Sequence, residues 1–342
     1  MASQKKILVI RNDKLGDFIL AWPAFSLLKK QYPDARIIAL VPAYTAPMAQ
    51  LCESIDEVLI DDRKPSFFRD VTALAENIRH LQIDTAISLF SESRTALALL
   101  FAGVSIRIGP ATKIAQIFLN RRLKQKRSRS LKPEYEYNLD LVRHYISNNG
   151  DAPVATKKPP FLKFDKAEIA GIKDVFIKTH QVPVSSRLVF VHPGTGGSAV
   201  NLSLEQYADL IASLTKSTDS YFVITAGPGE TEQANRLSAL LETTAHCTYH
   251  SSDGIVGFSK FLSICDIFIS GSTGPLHIAA ALNVCTAAFY PARRSATSLR
   301  WQTINDETRR LAISPDEYTG ESDMLKIDTD NAARLIIEKF YS

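Results

Sequence analysis

At 342 residues the chain is long for one ordinary core and sufficient for two domains. Apolar residues make up 45% and charged residues 22%, a globular balance, and no apolar run approaches the ~20 residues that span a bilayer; a disordered chain and a helical integral membrane protein are both excluded. The net charge of +4 is unevenly spread, with 25 Lys+Arg against 16 Asp+Glu in residues 1–164 and 15 against 20 in the remainder, so an anionic partner belongs to the first half.

Lys5-Lys6-Ile7-Leu8-Val9-Ile10-Arg11 has the branched apolar run of a strand buried on both faces. A glycine-containing turn leads to a helix predicted over Phe18–Gln31. Further strands are predicted at Arg36–Val41, Glu57–Ile60 and Asp84–Leu89, separated by helices around Pro42–Cys52, Pro65–Leu81 and Ser91–Ala102. A Pro- and Lys-rich stretch from Gly150 to Pro160 interrupts the alternation and marks a boundary. Beyond it, strands fit Arg187–His192, Tyr221–Thr225, Ile267–Ser270 and Val284–Phe289, and helices fit Ser203–Leu214, Glu230–Glu242 and Thr273–Leu282. The expected fold class is therefore α/β, two Rossmann-like domains with mainly parallel sheets facing a cleft. The predicted domains are 1–160 and 161–325, with 326–342 a C-terminal helix crossing back to the first.

Ligands of such sheets bind beyond the carboxyl ends of the strands, which is where the candidate motifs fall. In Arg11-Asn12-Asp13-Lys14-Leu15-Gly16-Asp17 the carboxylate of Asp17 is placed to take a proton from a bound hydroxyl, or else to cap the helix. His192-Pro193-Gly194-Thr195-Gly196-Gly197-Ser198-Ala199 offers backbone N–H groups with little obstruction and lacks the Lys-Ser/Thr of a P-loop; it is a phosphate or sugar cradle or a plain turn. After Ala226-Gly227-Pro228-Gly229, Glu230 or Glu232 is a candidate for a ribose diol, or the segment is a solvated helix start. Ile269-Ser270-Gly271-Ser272-Thr273-Gly274-Pro275-Leu276-His277 joins a strand to a helix with Pro in its first turn, a geometry that holds a diphosphate and equally a capped helix with a core histidine. Arg121-Arg122-Leu123-Lys124-Gln125-Lys126-Arg127-Ser128-Arg129 reads as a solvated loop or as a contact for phosphorylated lipid or an anionic membrane surface. No aromatic interleaving accompanies it, so nucleic acid is not expected. Cys52, Cys247, Cys265 and Cys285 lack metal spacing and read as free thiols in a reducing cytoplasm, and the opening residues do not resemble a secretory leader.

Taken together, the Arg-x-x-x-x-Gly-Asp opening, the His-Pro-Gly loop with Ser203-Leu204-Glu205-Gln206-Tyr207, and Thr273-Gly274-x-x-His277 resemble the glycosyltransferase family that contains the ADP-heptose:lipopolysaccharide heptosyltransferases. The resemblance runs from Ile7 to about Trp301. It implies a GT-B fold and metal-independent, inverting transfer, with no cofactor beyond the nucleotide-sugar co-substrate, ADP-heptose first among them. By position it makes Asp17 the general base and assigns the donor to Gly194, Thr195, Gly196, Ser198, Glu230, Ser272, Thr273, Gly274 and His277. It assigns a phosphorylated glycolipid acceptor to Arg11, Lys14, Arg121 and Arg122. The implied location is cytoplasmic, peripheral to the inner membrane through residues 121–132. Two positions depart from the family's pattern: Val200 stands where it has a lysine, and Ser272 where it has an aspartate. Arg293 and Arg294 are candidates to replace the lost cation. The alternatives are a non-catalytic nucleotide-sugar binder and a nucleotide-sugar epimerase on the same fold.

Overall fold

A computed structural model describes residues 4–197, 200–241, 244–316 and 323–342. The chain divides into two compact units. The first comprises residues up to Arg127 together with Leu131–Lys157, and the second comprises Ser128–Ser130 and Lys158–Ser342.

The first unit is built from strands β1 (Lys6–Ile10), β2 (Arg36–Val41), β3 (Glu57–Ile60), β4 (Thr85–Ser88), β5 (Ile106–Pro110) and β6 (Arg121–Leu123). Its helices are α1 (Leu15–Ile19), α2 (Trp22–Gln31), α3 (Ala46–Gln50), α4 (Phe67–His80), α5 (Ser93–Phe101) and α6 (Glu134–Asn148). All strand pairings are parallel, in the order β3-β2-β1-β4-β5-β6. The central strand β1 is apolar from Ile7 to Ile10 because helices cover both faces, and Leu8 and Ile10 enter a core with Val71, Leu74, Ala75 and Ile78 of α4. That i, i+3, i+4, i+7 spacing is what makes α4 a helix with one buried face. The helix predicted over Phe18–Gln31 is instead two, α1 and α2, broken before Pro23, which has no N–H to give to the carbonyl one turn back. The helix predicted over Pro42–Cys52 is likewise shortened to a 3-10 turn at Ala43–Thr45 followed by α3.

The second unit holds α7 (Lys166–His180), β7 (Arg187–His192), α8 (Leu204–Thr215), β8 (Ser220–Ala226), α9 (Thr231–Ala239), β9 (His246–His250), α10 (Gly254–Leu262), β10 (Ile267–Gly271), α11 (Gly274–Ala281), β11 (Cys285–Phe289), β12 (Arg310–Ile313) and α12 (Thr329–Phe340). Read from β9, its strand order is β9-β8-β7-β10-β11-β12, the same 3-2-1-4-5-6 winding as the first sheet. The C-terminal helix is part of this unit and not an arm of the first: its apolar face, Ala332, Ala333, Ile336 and Phe340, joins Tyr207, Leu210 and Leu214 of α8 in one core. Burying those side chains here is what fixes α12, each large apolar group contributing about 1.5–3 kcal/mol.

Candidate functional site

In a 3-2-1-4-5-6 sheet the strand order reverses beside the first strand, and the helices that follow diverge to opposite faces, leaving a crevice at the carboxyl ends. In the first unit that place lies between β1 and β4, where Ile10 pairs with Ser88. In the second it lies between β7 and β10, where His192 pairs with Ser270.

At the end of β1, Arg11 is buried and its guanidinium is divided among three carboxylates. Nε donates to Asp13 Oδ1 at 2.9 Å, Nη1 to Glu134 Oε1 at 2.7 Å and to Asn138 Oδ1 at 3.3 Å, and Nη2 to Asp17 Oδ1. Arg127 donates through Nη1 to the same Glu134 oxygen at 2.6 Å and to the Leu89 carbonyl at 2.9 Å. Burial lifts the Asp17 carboxyl to about 6 against the pull of Arg11, with Asp13 and Glu134 adding to the rise. Asp17 is not the cap of its helix: Lys14 occupies that position, is exposed and makes no side-chain cap. Of the residues assigned to an acceptor, Arg11 is thus an internal clamp of this cluster. Arg122 is exposed and Arg121 half-buried on β6, so the basic run is in part an edge strand and not a solvated loop.

Beside this cluster lies a second one that the motifs did not reveal. Arg94 donates to both Asp61 oxygens at 2.5 and 2.7 Å and to Asp70 at 3.2 Å. Asn12 donates to Asp61 Oδ2 at 2.6 Å, and Arg63 to Glu92 Oε1 at 2.6 Å. Asp61 and Glu92 follow β3 and β4, so these charges too stand at carboxyl ends. Their signal was position alone: an acid one residue past a predicted strand for Asp61 and three past one for Glu92.

In the second unit the loop after β7 is held by Glu230, whose Oε1 accepts from Gly196 N–H and Oε2 from Gly227 N–H, each at 2.9 Å. His192 Nε2 lies 3.4 Å from the same carboxylate, and burial pushes this imidazole below its ordinary range. A Cβ at Gly194 would overlap the Glu230 carboxylate and displace it from this clasp, and Gly196 and Gly197 have φ of 51° and 70°. Glu230, a candidate for a ribose diol, has both oxygens engaged in this clasp. Thr195 Oγ1 accepts from Gly197 N–H at 3.2 Å; Ser198 lies outside the described residues. Asn201, not singled out from the sequence, ties the loop together by donating to the Pro193 carbonyl at 3.0 Å and accepting from Tyr207 Oη at 2.6 Å.

After β10 the half-buried Ser272 leads to Thr273, which takes the N-cap position of α11 in extended conformation (φ −120°, ψ 168°) without a side-chain cap. Gly274 and Pro275 open the helix. Thr273 and His277 are both buried, and among the described residues neither Thr273 Oγ1 nor His277 Nδ1 has a hydrogen-bond partner. Burial lowers His277 to about 4, so the ring is neutral at physiological pH. Neither hydroxyl nor ring is spent on the fold, which distinguishes this turn from an ordinary capped helix. Arg293 and Arg294 are exposed beyond β11.

Two Rossmann-like units of identical winding are the architecture of the GT-B class. The chain belongs to glycosyltransferase family 9 (heptosyltransferase), whose model matches residues 71–316. It is 45% identical over 311 residues to a Haemophilus influenzae protein named only as a glycosyltransferase, covering 91% of this chain and 89% of that one. It is 23% identical over 305 residues to lipopolysaccharide heptosyltransferase 2 of Escherichia coli, covering 83% and 82%. Its fold matches that of E. coli ADP-heptose lps heptosyltransferase II with a TM-score of 0.75 at 19% identity, over 98% of each chain.

Proposed function

We propose that this glycosyltransferase moves a heptose or related sugar from a nucleoside-diphosphate sugar to a lipopolysaccharide-core or related glycolipid acceptor, with inversion and without a metal. The observation that carries the reading is Asp17, a carboxylate at the end of β1 raised to about 6 and accepting from Arg11. A base of that strength is largely ionised at neutral pH and still takes a proton. Asp17 removes the proton of an acceptor hydroxyl as that oxygen attacks the anomeric carbon. The new C–O bond forms as the bond to the diphosphate breaks, and the leaving group carries the electron pair away. The start of α11 suits that leaving group, since Thr273 Oγ1, His277 and the free N–H groups of the first turn meet it in a buried setting.

The printed names of relatives include ADP-heptose as donor and lipopolysaccharide or lipooligosaccharide as acceptor, and these are the first substrates to try. Val200 and Ser272 change the charges that face the donor, so the sugar is the open part of the proposal. A thermal-shift screen against ADP-heptose and other ADP-, UDP-, GDP- and dTDP-sugars decides it, because a donor that binds raises the melting temperature by mass action. With the donor so found, nucleoside diphosphate release that requires a lipopolysaccharide-core acceptor and persists in EDTA is the expected result. Isomerised donor without acceptor, or binding without any turnover, sinks the transferase reading of this chain's specificity.

The acceptor of such an enzyme is a glycolipid, and a membrane surface is proposed as the second partner of the first unit. No Asp or Glu occurs between Glu92 and Glu134. Arg127 and Lys132 of the basic run pair with Glu134 and Asp140. Among the described residues, Lys113, Arg121, Arg122, Lys124, Lys126 and Arg129 form no ion pair, and beside them Ile114 and Ile117 are 68% and 70% exposed on one 3-10 segment. Sedimentation with phosphatidylglycerol vesicles, weakened by salt and by Ile114→Ser/Ile117→Ser, is the expected result; equal binding to phosphatidylcholine vesicles refutes it.

A further inference from the structure

Glu134 is a carboxylate that the proposed reaction leaves without a task. It stands in the first turn of α6, completely enclosed, and one oxygen, Oε1, receives both Arg11 Nη1 and Arg127 Nη1, at 2.7 and 2.6 Å. Arg11 meanwhile reaches Asp17 through Nη2 and Asp13 through Nε. Three carboxylates thus share two guanidinium groups in a region that largely excludes water. Asp13 and Glu134 compete with Asp17 for Arg11, and like charges at that range raise the affinity of Asp17 for a proton.

We infer that Glu134 is a positioning residue that divides Arg11 between itself and Asp17, held in turn by Arg127, and so sets how tightly the base holds its proton. The inference rests on the reading of Asp17 as base and states how that base is tuned. The groups facing Asp17 are few. From the turn after β1 come Arg11, Asp13 and the exposed Lys14; from α6 comes Glu134; from the Ala43–Thr45 turn comes Tyr44, whose hydroxyl donates to the Asp13 carbonyl at 2.6 Å. Arg127 acts through Glu134. With Glu134 charged and shared, Arg11 cannot give its full charge to Asp17. Remove that charge and Arg11 turns to Asp17, which becomes a weaker base. Remove Arg127 and Glu134 draws Arg11 more strongly, which leaves Asp17 the stronger base.

The two changes therefore act with opposite sign, and that is the test. The Asp17 carboxyl is followed through a pH titration by carbon NMR of the free enzyme labelled at aspartate side chains, its resonance assigned with Asp17→Asn. Glu134→Gln is expected to lower the midpoint by about one pH unit and Arg127→Gln to raise it by about as much, with the double variant close to wild type. A purely structural role predicts loosening in both variants and no such opposition. Midpoints that shift in the same direction, or that both stay within about 0.3 unit of wild type, overturn the inference. Where Glu134→Gln yields no folded protein, Arg127→Gln and the double variant carry the sign. Asp17→Asn with near-wild-type turnover defeats the base reading itself, whereas an inactive Asp17→Asn with unmoved midpoints defeats only the role of Glu134.

Discussion

The two sheets share one winding and differ in what they place where that winding reverses. Around the end of β1 the first unit sets fixed charges: Arg11, Asp13, Asp17, Glu134 and Arg127 in one cluster, Arg94, Asp61 and Glu92 in the next. Around the ends of β7 and β10 the second unit sets neutral polar groups: His192, Asn201, Thr273 and His277, with Glu230 held by backbone N–H groups. The physical reason follows from the partners proposed for each. A neutral hydroxyl gives up a proton only to a fixed base, and a buried base needs countercharges to stay ionised. A diphosphate brings its own charge, and is best met by N–H groups, hydroxyls and a helix start.

If the charged end is the chemical one, the largest effect in the molecule follows from Asp17→Asn. Turnover should fall by about 10²–10⁴-fold with donor affinity unchanged. In the wild type kcat/KM should drop as pH falls through about 6, because Asp17 of the free enzyme is active only when ionised. A variant that loses donor binding instead would place Asp17 on the wrong side of the comparison.

The neutral end should break through its backbone. Gly194→Ala sets a Cβ into the Glu230 carboxylate, so either the clasp to Gly196 and Gly227 opens or the loop shifts. Donor affinity should weaken at least about tenfold, and unfolding should be easier by about 1–3 kcal/mol. Calorimetry on the donor and a urea melt measure the two. Unchanged affinity would detach the loop from the donor.

These contrasts were only partly visible beforehand. The interior strands were legible because burial on both faces leaves an apolar run: Arg36–Val41 and Arg187–His192 are observed as read. The half-buried edge strand Glu57–Ile60 is also observed as read. The peripheral strands β5, β6, β9 and β12 were not legible, since short or half-covered strands carry polar residues such as Arg121, His246 and Arg310 that erase the pattern. Asp17, Thr273 and His277 stand where the sequence places them, in the first turns after β1 and β10. Glu134 and Asn138 were not legible, because an acid and an amide four residues apart read as the wet face of a helix; only the fold shows that they turn inward to Arg11. Glu230 stands where it was read, before α9, and what the sequence did not show is that both its oxygens accept from loop N–H groups.

The neutral end also has a signature on the stability of the protein. His277 has a folded value near 4 against an ordinary 6.5, so at neutral pH neither folded nor unfolded chain is protonated there and the residue is silent. As pH falls below 6.5 the unfolded chain takes a proton that the folded one refuses, and stability declines until the folded ring also titrates near 4. By pH 5 the loss from this residue should be about 2 kcal/mol. Urea melts at pH 7.5 and 5 should show a shallower acid loss in His277→Gln than in wild type. An equal loss in both would mean that the ring is protonated in the folded enzyme.

The smallest effects separate a helix start that serves the fold from one that serves a ligand. At α8, Ser203 Oγ accepts from Gln206 N–H at 3.1 Å and Gln206 Oε1 accepts from Ser203 N–H at 3.0 Å, a closed capping box. At α11 the corresponding Thr273 hydroxyl bonds nothing among the described residues. Ser203→Ala should therefore cost about 1 kcal/mol of stability and leave donor affinity alone. Thr273→Ala removes a buried hydroxyl without a partner, so the fold should lose little or gain slightly, while donor affinity falls several-fold by about 1 kcal/mol. A thermal melt with and without donor on both variants reads the two effects independently. Should Thr273→Ala lower stability as Ser203→Ala does, the start of α11 is an ordinary cap, and the asymmetry between the two sheets loses its functional meaning.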